Sequence, residues 1–402
     1  MASYAIKQRA ELTALLICPN RPLAQQFNTS LGETRAFNIL ADIKTYPAPQ
    51  ALDMRVRQLR PDVILLDLSS SLDTALGLMP YITSFRPTVH IIGLHAANDA
   101  ELIIRSLRAG ATEFLCAPFE TAAQNTAIAR VLRLREHEER VQPNRGALFA
   151  FVGAKAGYGA STLAYNTAYA LRRAGRKKVL LADFDLLGGT TSFALKLNHG
   201  YSVLDGIRHS DQLDNSLWGA LVGVVGELDV MPAPEKPEAP TFEAHRVHEV
   251  LEYARLIYEA VVVDLPAAYE RISMATFGDA DQILLVCTPE LPSLHMTRKA
   301  IGFLEQMGFS RDRFRVLVNR VSRRDELSRQ DIEKVFSLPV YCTFPDDYGN
   351  VHRCLTAGKP LPPSCDLGRQ IQRFTEGLAP GGDGEKKKGF SPMSLTELLS
   401  EG

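Results

Sequence analysis

Short apolar runs alternate with amphipathic stretches along most of this chain. In the first third, four runs have the apolar character of buried strands: Ala14–Cys18, Val63–Leu66, His90–Gly93 and Glu113–Cys116. Strands that alternate with helices are typical of a parallel sheet with helices on both faces. The sequence therefore predicts an α/β domain over residues 11–135.

The same pattern returns after residues 136–145, a charged stretch ending in Gln-Pro-Asn-Arg that we interpret as a linker. Six further runs predict strands: Ala147–Val152, Lys178–Ala182, Leu228–Met231, Ala260–Val263, Gln282–Cys287 and Phe314–Val318. We therefore predict a second doubly wound α/β domain over residues 146–378. Residues 379–402 have few apolar positions and predict a disordered tail. Within it, Ser394–Leu399 has the spacing of one or two helical turns, so a partner-docking peptide is the alternative.

Composition narrows the class of protein. The 402 residues are enough for two or three domains, and 46% hydrophobic with 23% charged residues is the balance of a globular protein. The net charge of -1 gives no basic field for nucleic acid. No apolar run approaches the ~20 residues that span a bilayer, and Met1–Leu12 lacks the apolar core of a signal peptide. The six cysteines form no metal-binding pattern, so we expect buried thiols in a reducing cytoplasm.

The strongest chemical signal is the glycine-rich turn after Ala147–Val152. A hydroxyl pair, Ser161 and Thr162, follows the turn and opens a predicted helix, as in a phosphate-binding loop. Ala160 stands where the ordinary motif has lysine. Backbone N–H groups supply much of such a phosphate site, and the lost charge-assisted hydrogen bond is worth about 1.5–3 kcal/mol. Nucleotide binding is therefore expected to survive, whereas hydrolysis, which depends on charge stabilisation, is expected to suffer more.

This loop resembles the deviant Walker A motif of the ParA/MinD ATPases, K-G-G-x-G-K-[ST]. Lys155 matches the signature lysine, Gly157 and Gly159 match two glycines, and Ser161 matches the Mg²⁺-binding hydroxyl. The resemblance implies a P-loop NTPase that binds ATP and Mg²⁺, with Lys155 reaching a partner's nucleotide across a sandwich dimer. A solvated Lys155 in a vestigial site is the alternative. The implied nucleotide contacts are Lys155, Ala156, Gly157, Tyr158, Gly159, Ala160, Ser161 and Thr162.

Three further runs match the same family in order, over about 200 residues, the length of one α/β domain. Leu180–Asp185 resembles its second motif, which implies that Asp185 orients the attacking water and Asp183 supports the Mg²⁺ shell. Val261–Pro266 resembles a Walker B strand, whose Asp264 would hold Mg²⁺ through water.

The third run lies later in the chain. Asn319 and Arg320 resemble the element that reads the adenine edge. Pro345 and Asp346 belong to a later run that lies near the base in that family.

The first domain resembles the receiver domain of response regulators, a flavodoxin-like fold. Asp67 follows Val63–Leu66 at the phosphoacceptor position. The other phosphorylation residues are missing: Cys18-Pro19-Asn20 replaces the acidic pair, His95-Ala96 replaces the hydroxyl, and Ala117 replaces the lysine. We therefore interpret the domain as a pseudo-receiver used for docking or dimer contacts, with Asp67 as a pseudo-phosphoacceptor.

A receiver-like domain followed by a ParA/MinD-like domain resembles the CpaE/TadZ pilus-assembly proteins, over residues 11–375. The resemblance implies a homodimeric positioning factor at a cell pole for a Tad/Flp pilus machine. Its implied partner is a hexameric secretion ATPase, with contact to the inner membrane through partners. Two alternatives stay open: an active partitioning ATPase that carries DNA or other cargo, and a phosphorylation-driven response regulator. We interpret the basic cluster Arg320, Arg323, Arg324 and Arg329 as a solvated surface.

Overall fold

A computed structural model of the chain describes residues 12–34, 37–83, 85, 88–141, 145–239, 241–322, 325 and 327–378. The chain forms two compact units, Met1–Pro143 and Asn144–Gly402. The predicted tail, residues 379–402 with Ser394–Leu399, lies outside the described residues, as do Arg323 and Arg324. Among the described helices, none combines the length and hydropathy that a membrane crossing requires.

The first unit is a parallel sheet with helices on both faces. Its strands are β1 (Leu12–Ile17), β2 (Phe37–Ile43), β3 (Val63–Asp67), β4 (His90–His95) and β5 (Glu113–Cys116). Its helices are α1 (Arg21–Thr34), α2 (Pro49–Leu59), α3 (Leu72–Thr83), α4 (Ala100–Arg108) and α5 (Thr121–Val141). The strand order is β2-β1-β3-β4-β5, which is the flavodoxin-like order.

Both faces of this sheet are buried, which explains the continuous apolar runs. Along β1, Leu12, Ala14 and Leu16 face one apolar cluster, whereas Leu15 and Ile17 face the other. Helix α5 continues through residues 136–141, so the first part of the predicted linker, residues 136–145, is helical. Strand β2 is absent from the sequence prediction.

The second unit is a larger, mostly parallel sheet. Its strands are β6 (Ala147–Gly153), β7 (Val179–Asp183), β8 (Gly223–Val225), β9 (Leu228–Met231), β10 (Ala260–Ala267), β11 (Gln282–Cys287), β12 (Phe314–Val321) and β13 (Val340–Pro345). Its helices are α6 (Ala160–Arg173), α7 (Thr191–Leu195), α8 (Val203–Arg208), α9 (Asn215–Leu221), α10 (Ala244–Ile257), α11 (Arg271–Asp279), α12 (Leu291–Gln306), α13 (Arg329–Phe336), α14 (Tyr348–Ala357) and α15 (Asp366–Glu376).

The strand order of this sheet is β13-β12-β11-β6-β10-β7-β9-β8, and the β8–β9 pair is antiparallel. Strand β6 lies between β10 and β11, and β10 lies between β6 and β7. Because these strands are parallel, their carboxyl ends meet at one edge, where ligands bind in open α/β sheets. The predicted fold class, α/β with parallel sheets, is confirmed.

Candidate functional site

The loop between β6 and α6 depends on two glycines with left-handed backbone. Gly157 has φ 94° and Gly159 has φ 89°, a region that residues with a side chain rarely adopt. A Cβ atom at Gly157 would have no heavy atom within 4 Å, whereas one at Gly159 would lie 2.3 Å from Asn319 Nδ2. Backbone conformation therefore requires both glycines, and close packing requires only the second.

Asn319 ties this loop to the neighbouring part of the sheet. Asn319 lies on β12 and is 5% exposed. Its Nδ2 donates a hydrogen bond to the backbone oxygen of Tyr158 at 2.9 Å. The resemblance places Asn319 at the adenine edge, and the structure gives it an additional contact that shapes the loop. Sequence reasoning missed this hydrogen bond, although a glycine at position 159 is a signal of close approach.

Asp264 lies beneath the loop on the adjacent strand. It pairs in register with Phe151 on β6 and with Asp183 on β7. Asp264 is 2% exposed, and its Oδ1 has no hydrogen-bond partner among the described residues. Burial raises the pKa of Asp264 well above its usual range, nearby Asp183 raises it further, and the Ser161 hydroxyl opposes the rise. The carboxylate therefore faces both the start of α6 and the next acidic strand end.

Asp183 and Asp185 form the second acidic group at this edge. Asp183 is buried and accepts hydrogen bonds from the backbone N–H groups of Asp185, at 3.1 Å, and Thr191, at 3.0 Å. Burial raises the pKa of Asp183 to about 6, although these hydrogen bonds oppose the rise. Asp185 is half-buried, and its Oδ1 accepts from the backbone N–H of Gly188 at 2.8 Å. The Asp183 carboxylate is thus held in place by the backbone, whereas the Asp185 carboxylate is partly exposed to solvent.

The remaining predicted loop residues differ in exposure. Lys155 and Ala156 are exposed, whereas Tyr158 and Ala160 are partly buried against the apolar cluster on one face of the sheet. The Ala160 methyl group therefore packs against the core, and its assignment to the nucleotide contacts stays a prediction. Thr162 accepts a hydrogen bond at its backbone oxygen from Asn166 Nδ2 at 2.8 Å, which holds the first turn of α6.

The predicted base-binding residues meet at the ends of β12 and β13. Arg320 is exposed with φ 57°, and Val321 pairs in register with Pro345. The N–H of Asp346 donates to the backbone oxygen of Val321 at 3.0 Å. The structure thus places Arg320 on β12 and Pro345 at the end of the neighbouring β13, with Asp346 directly after that strand.

Three further residues contact this site and are absent from the sequence prediction. Thr191 starts α7 and holds Asp183 through its N–H. Asn166 Oδ1 accepts a hydrogen bond from the N–H of Leu361 at 2.8 Å and so joins α6 to the loop between α14 and α15. Glu270 is the N-cap residue of α11, shortly after the end of β10, and burial and then Asp185 raise the pKa of its carboxyl group. A search for polar residues one helical turn after each motif would find only Asn166.

The donor set suits Mg²⁺ and a phosphate chain. The Ser161 hydroxyl and the Asp264 and Asp183 carboxylates are hard oxygen donors, which Mg²⁺ prefers. The unpartnered Oδ1 of buried Asp264 is an acceptor that a hydrated cation would satisfy. The N–H groups at the start of α6 point toward the same edge and favour an anion. A cation held by these oxygens would neutralise phosphate charge, and Ser161, Asp264 and Asp183 would hold it.

Asp67, the predicted pseudo-phosphoacceptor of the first unit, is closed in by donors. It is fully buried at the end of β3. Its Oδ1 accepts from the N–H groups of Ser69, at 2.7 Å, and Ser70, at 3.3 Å. Its Oδ2 accepts from the Ser70 hydroxyl, at 2.5 Å, and from Asn20 N–H, at 3.2 Å. The carboxylate therefore acts as a structural acceptor.

Comparison with known proteins points to one class of ATPase for the second unit. No family model matches the chain. The septum site-determining protein MinD of Thermotoga maritima is 24% identical over 240 residues, 58% of this chain and 87% of that protein. The solved ParA family ATPase of Chlorobium tepidum is 26% identical with a TM-score of 0.53, covering 57% of this chain and 98% of that one. The second unit is similar in sequence and in fold to P-loop ATPases of the ParA/MinD type.

Two more relatives fit this domain type. An uncharacterized ATP-binding protein of Methanocaldococcus jannaschii is 27% identical over 219 residues, which is 53% of this chain and 78% of that protein. The solved MinC:MinD complex of Aquifex aeolicus shows the same fold, with 24% identity and a TM-score of 0.50 over 58% of this chain and 95% of that one. By name, these relatives are a septum site-determining protein, a ParA family ATPase and an ATP-binding protein.

Proposed function

We propose that this protein is an ATP-binding positioning and assembly factor for a Tad/Flp-type pilus secretion system. In this proposal it acts as a nucleotide-dependent homodimer that hydrolyses ATP slowly or not at all. One observation carries the proposal. The phosphate loop keeps its two left-handed glycines and the Ser161 hydroxyl, and aspartates end the neighbouring strands, but Ala160 stands where the ordinary motif has lysine.

Slow turnover follows from what Ala160 removes. Phosphoryl transfer is catalysed by positioning and by stabilisation of charge on the transferred group. The backbone N–H groups at the start of α6 still favour bound phosphate. The methyl side chain at position 160, however, cannot stabilise the negative charge on the transferred phosphoryl group in the transition state. Lys155 is exposed at the beginning of the loop, so it is available to the nucleotide of a second copy. Binding and dimer formation are therefore retained, and catalysis is weak.

The pilus assignment rests on the order of the two units. A flavodoxin-like unit precedes a ParA/MinD-type ATPase domain, as in the CpaE/TadZ proteins that the sequence resembles. The saturated Asp67 carboxylate supports a docking role for the first unit rather than phosphorylation. The proposed partner is a hexameric secretion ATPase, met in the cytoplasm at a cell pole or at the inner face of the membrane.

A nucleic-acid partner is not part of the proposal. Of the basic cluster in the sequence, Arg323 and Arg324 lie outside the described residues. Arg329 forms an ion pair with Glu333 at 3.0 Å, one helical turn away. Its charge is therefore already paired within the chain.

The first test measures ATP and ADP binding, hydrolysis and solution mass in the presence of Mg²⁺. We compare the wild type with Lys155→Ala, Ala160→Lys and Asp264→Ala. We expect ATP-favoured dimers with slow hydrolysis, loss of the dimer in Lys155→Ala, and weaker nucleotide binding in Asp264→Ala. Absence of binding at millimolar ATP would refute the nucleotide-dependent role. Brisk hydrolysis by the wild type would support the alternative of an active partitioning ATPase.

The second test addresses the partner and the first unit. Full-length protein is mixed with a purified Tad-type secretion ATPase, or with duplex DNA, and analysed by sedimentation with and without ATP. A complex with the secretion ATPase supports the proposal, whereas salt-dependent binding to DNA alone supports the partitioning alternative. Phosphodonor treatment followed by intact-mass measurement tests Asp67. A stoichiometric shift that Asp67→Asn removes would favour the response-regulator alternative.

A further inference from the structure

Two helices of the second unit bring three metal-ligating side chains together. His248 and Glu252 lie on α10, and Asp279 is the last residue of α11. One ligand atom from each of the three lies within 4.8 Å of the other two. His248 and Glu252 share one face of α10, because residues four apart are neighbours on a helix. The fold therefore gathers one imidazole and two carboxylates at a single point.

This cluster lies at the edge of the sheet opposite the phosphate loop. Arg255 of α10 donates from Nη1 to the backbone oxygen of Asp279 at 2.8 Å and from Nε to that of Gly146 at 2.8 Å. Gly146 directly precedes β6, and Asp279 lies shortly before β11. Both contacts are therefore at the amino ends of these parallel strands, whereas the phosphate loop leaves the carboxyl end of β6.

The cluster has a buried end and an end that solvent can reach. His248 Nδ1 lies 2.7 Å from Asp279 Oδ1, and the Asp279 side chain is 3% exposed. The side chains of His248 and Glu252 are 18% and 21% exposed. An ion can therefore enter past His248 and Glu252 and reach a carboxylate that is held in the protein interior.

Both acidic residues have outer partners that hold them in place. Arg145 donates to Oε1 of Glu252, and Arg255 holds the backbone oxygen of Asp279. Hydrogen bonds of this kind orient the ligands of metal sites. A carboxylate has two oxygens, so Glu252 can accept from Arg145 with one and ligate a metal ion with the other. The ligand positions are thus largely fixed before an ion binds.

The donor set favours a transition metal ion over Mg²⁺. Imidazole suits Zn²⁺ and several of its first-row neighbours, whereas oxygen donors alone suit Mg²⁺. Zinc binds His nitrogen at about 2.0–2.1 Å and carboxylate oxygen at about 2.0–2.2 Å, so its tetrahedral ligands lie about 3.4 Å apart. Small side-chain rotations bring the three ligand atoms to that spacing. Three protein ligands leave the fourth position to water.

We propose that His248, Glu252 and Asp279 form a site for Zn²⁺ or a similar first-row transition metal ion, which ties α10 to the end of α11. The ion neutralises the two carboxylates and replaces the contact between His248 and Asp279 with two metal bonds. A ligand that binds only the folded chain stabilises it by mass action. The site is independent of the proposed nucleotide binding, and its expected effect is on the stability of the second unit.

The first test measures zinc binding by equilibrium dialysis. Untagged full-length protein is stripped of metal with a chelator and dialysed against micromolar Zn²⁺, with millimolar Mg²⁺ throughout to fill sites made of oxygen donors. His248→Gln and Glu252→Gln each remove a ligand. His245→Gln is the matched control, because His245 is half-exposed and lies one turn earlier on α10.

We expect one Zn²⁺ per chain in the wild type and in His245→Gln. Each ligand variant should lose more than about 100-fold in zinc affinity, because changes to outer-shell partners alone already cost about 10- to 100-fold.

The second readout is thermal unfolding around α10. Trp218 is the only tryptophan in the chain, and its ring centroid lies 5.0 Å from that of Tyr253, the residue after Glu252. Tryptophan fluorescence therefore follows the region of the site. Zn²⁺ at about 100 times its Kd should raise the melting temperature of the wild type and His245→Gln by roughly 5–10 °C. Neither ligand variant should shift, and their metal-free melts show that they fold.

Three results would overturn the inference. They are a wild type that binds no Zn²⁺, equal zinc affinity in the wild type and folded His248→Gln, and an equal loss of affinity in His245→Gln and His248→Gln. ATP binding measured on the same samples separates this inference from the proposed function. Failure of zinc binding with intact ATP binding removes only the metal site. Zinc binding without ATP binding supports the metal site and refutes the proposed nucleotide-dependent role.

Discussion

The two positive-φ glycines of the phosphate loop allow one contact to be isolated by mutation. Gly157 and Gly159 have φ of 94° and 89°, so alanine at either position costs about 1–2 kcal/mol for the left-handed backbone. Only at Gly159 would the new Cβ atom meet Asn319 Nδ2, at 2.3 Å. Gly159→Ala therefore also breaks the Asn319–Tyr158 hydrogen bond, and an unsatisfied buried amide costs about 1–3 kcal/mol more.

We expect Gly157→Ala to destabilise the second unit by about 1–2 kcal/mol and Gly159→Ala by about 2–5 kcal/mol. Urea unfolding of full-length protein, followed by circular dichroism, gives both values. In the Asn319→Ala background the difference between the two variants should shrink to under about 0.5 kcal/mol, the limit for uncoupled sites. Equal destabilisation by the two single variants would show that Asn319 does not shape the loop.

Three further predictions concern buried charged groups. Asp67→Ala leaves the Ser69 N–H and the Ser70 hydroxyl without their acceptor, so it should lower the free energy of unfolding by about 3 kcal/mol. Asp73 is exposed, so Asp73→Ala should change that free energy very little. Urea unfolding measures both. Arg255 is buried and donates a hydrogen bond to Asp281 at 2.6 Å. Arg255→Met should therefore lower the free energy of unfolding by about 3–5 kcal/mol, whereas Met in place of the exposed Arg298 should change it very little. Equal melting temperatures of the two variants would contradict this prediction. Burial raises the pKa of Asp183 to about 6, so the metal-free folded state binds more protons than the unfolded state between the two pKa values. Its stability should therefore fall by about 2 kcal/mol as pH rises from 4 to 7. Asp183→Asn should reduce that slope in thermal melts recorded with chelator, and an unchanged slope would assign it to other groups.

The sequence predicts the strands at the centres of both sheets and misses strands at their edges. The missed strands β2, β8 and β13 all lie at an end of a sheet. Central strands are buried on both faces and read as continuous apolar runs. By contrast, β2 includes Asn38 and Asp42, with a buried side chain only at Phe37. An edge strand forms because its neighbour offers backbone hydrogen bonds, and the apolar pattern of the strand itself carries little of that information.

The candidate site divides in a similar way. Asp183 and Asp264 can be placed from sequence because each follows an apolar run, and parallel neighbours bring their carboxyl ends together. Ser161 can be placed because it follows the glycine-rich turn that leaves the carboxyl end of β6. The hydrogen bonds from Asn319 to Tyr158 and from Thr191 to Asp183 depend on how two loops fold back. No spacing rule encodes such contacts, since they join residues that are not neighbours in any regular element.

The shape and the charge of this phosphate loop come from different residues. Its bend depends on Gly157, Gly159 and the Asn319 hydrogen bond, none of which involves the side chain at position 160. Replacing lysine with Ala160 therefore removes charge without removing the geometry that cradles a phosphate. A site built in this way is preorganised before the ligand arrives, and preorganisation favours binding because little is left to order. The same site lacks the mobile cation that a transition state needs. In the proposed function, retained binding with weak turnover would prolong the nucleotide-bound state, which is the property that a nucleotide-dependent dimer in an assembly role requires.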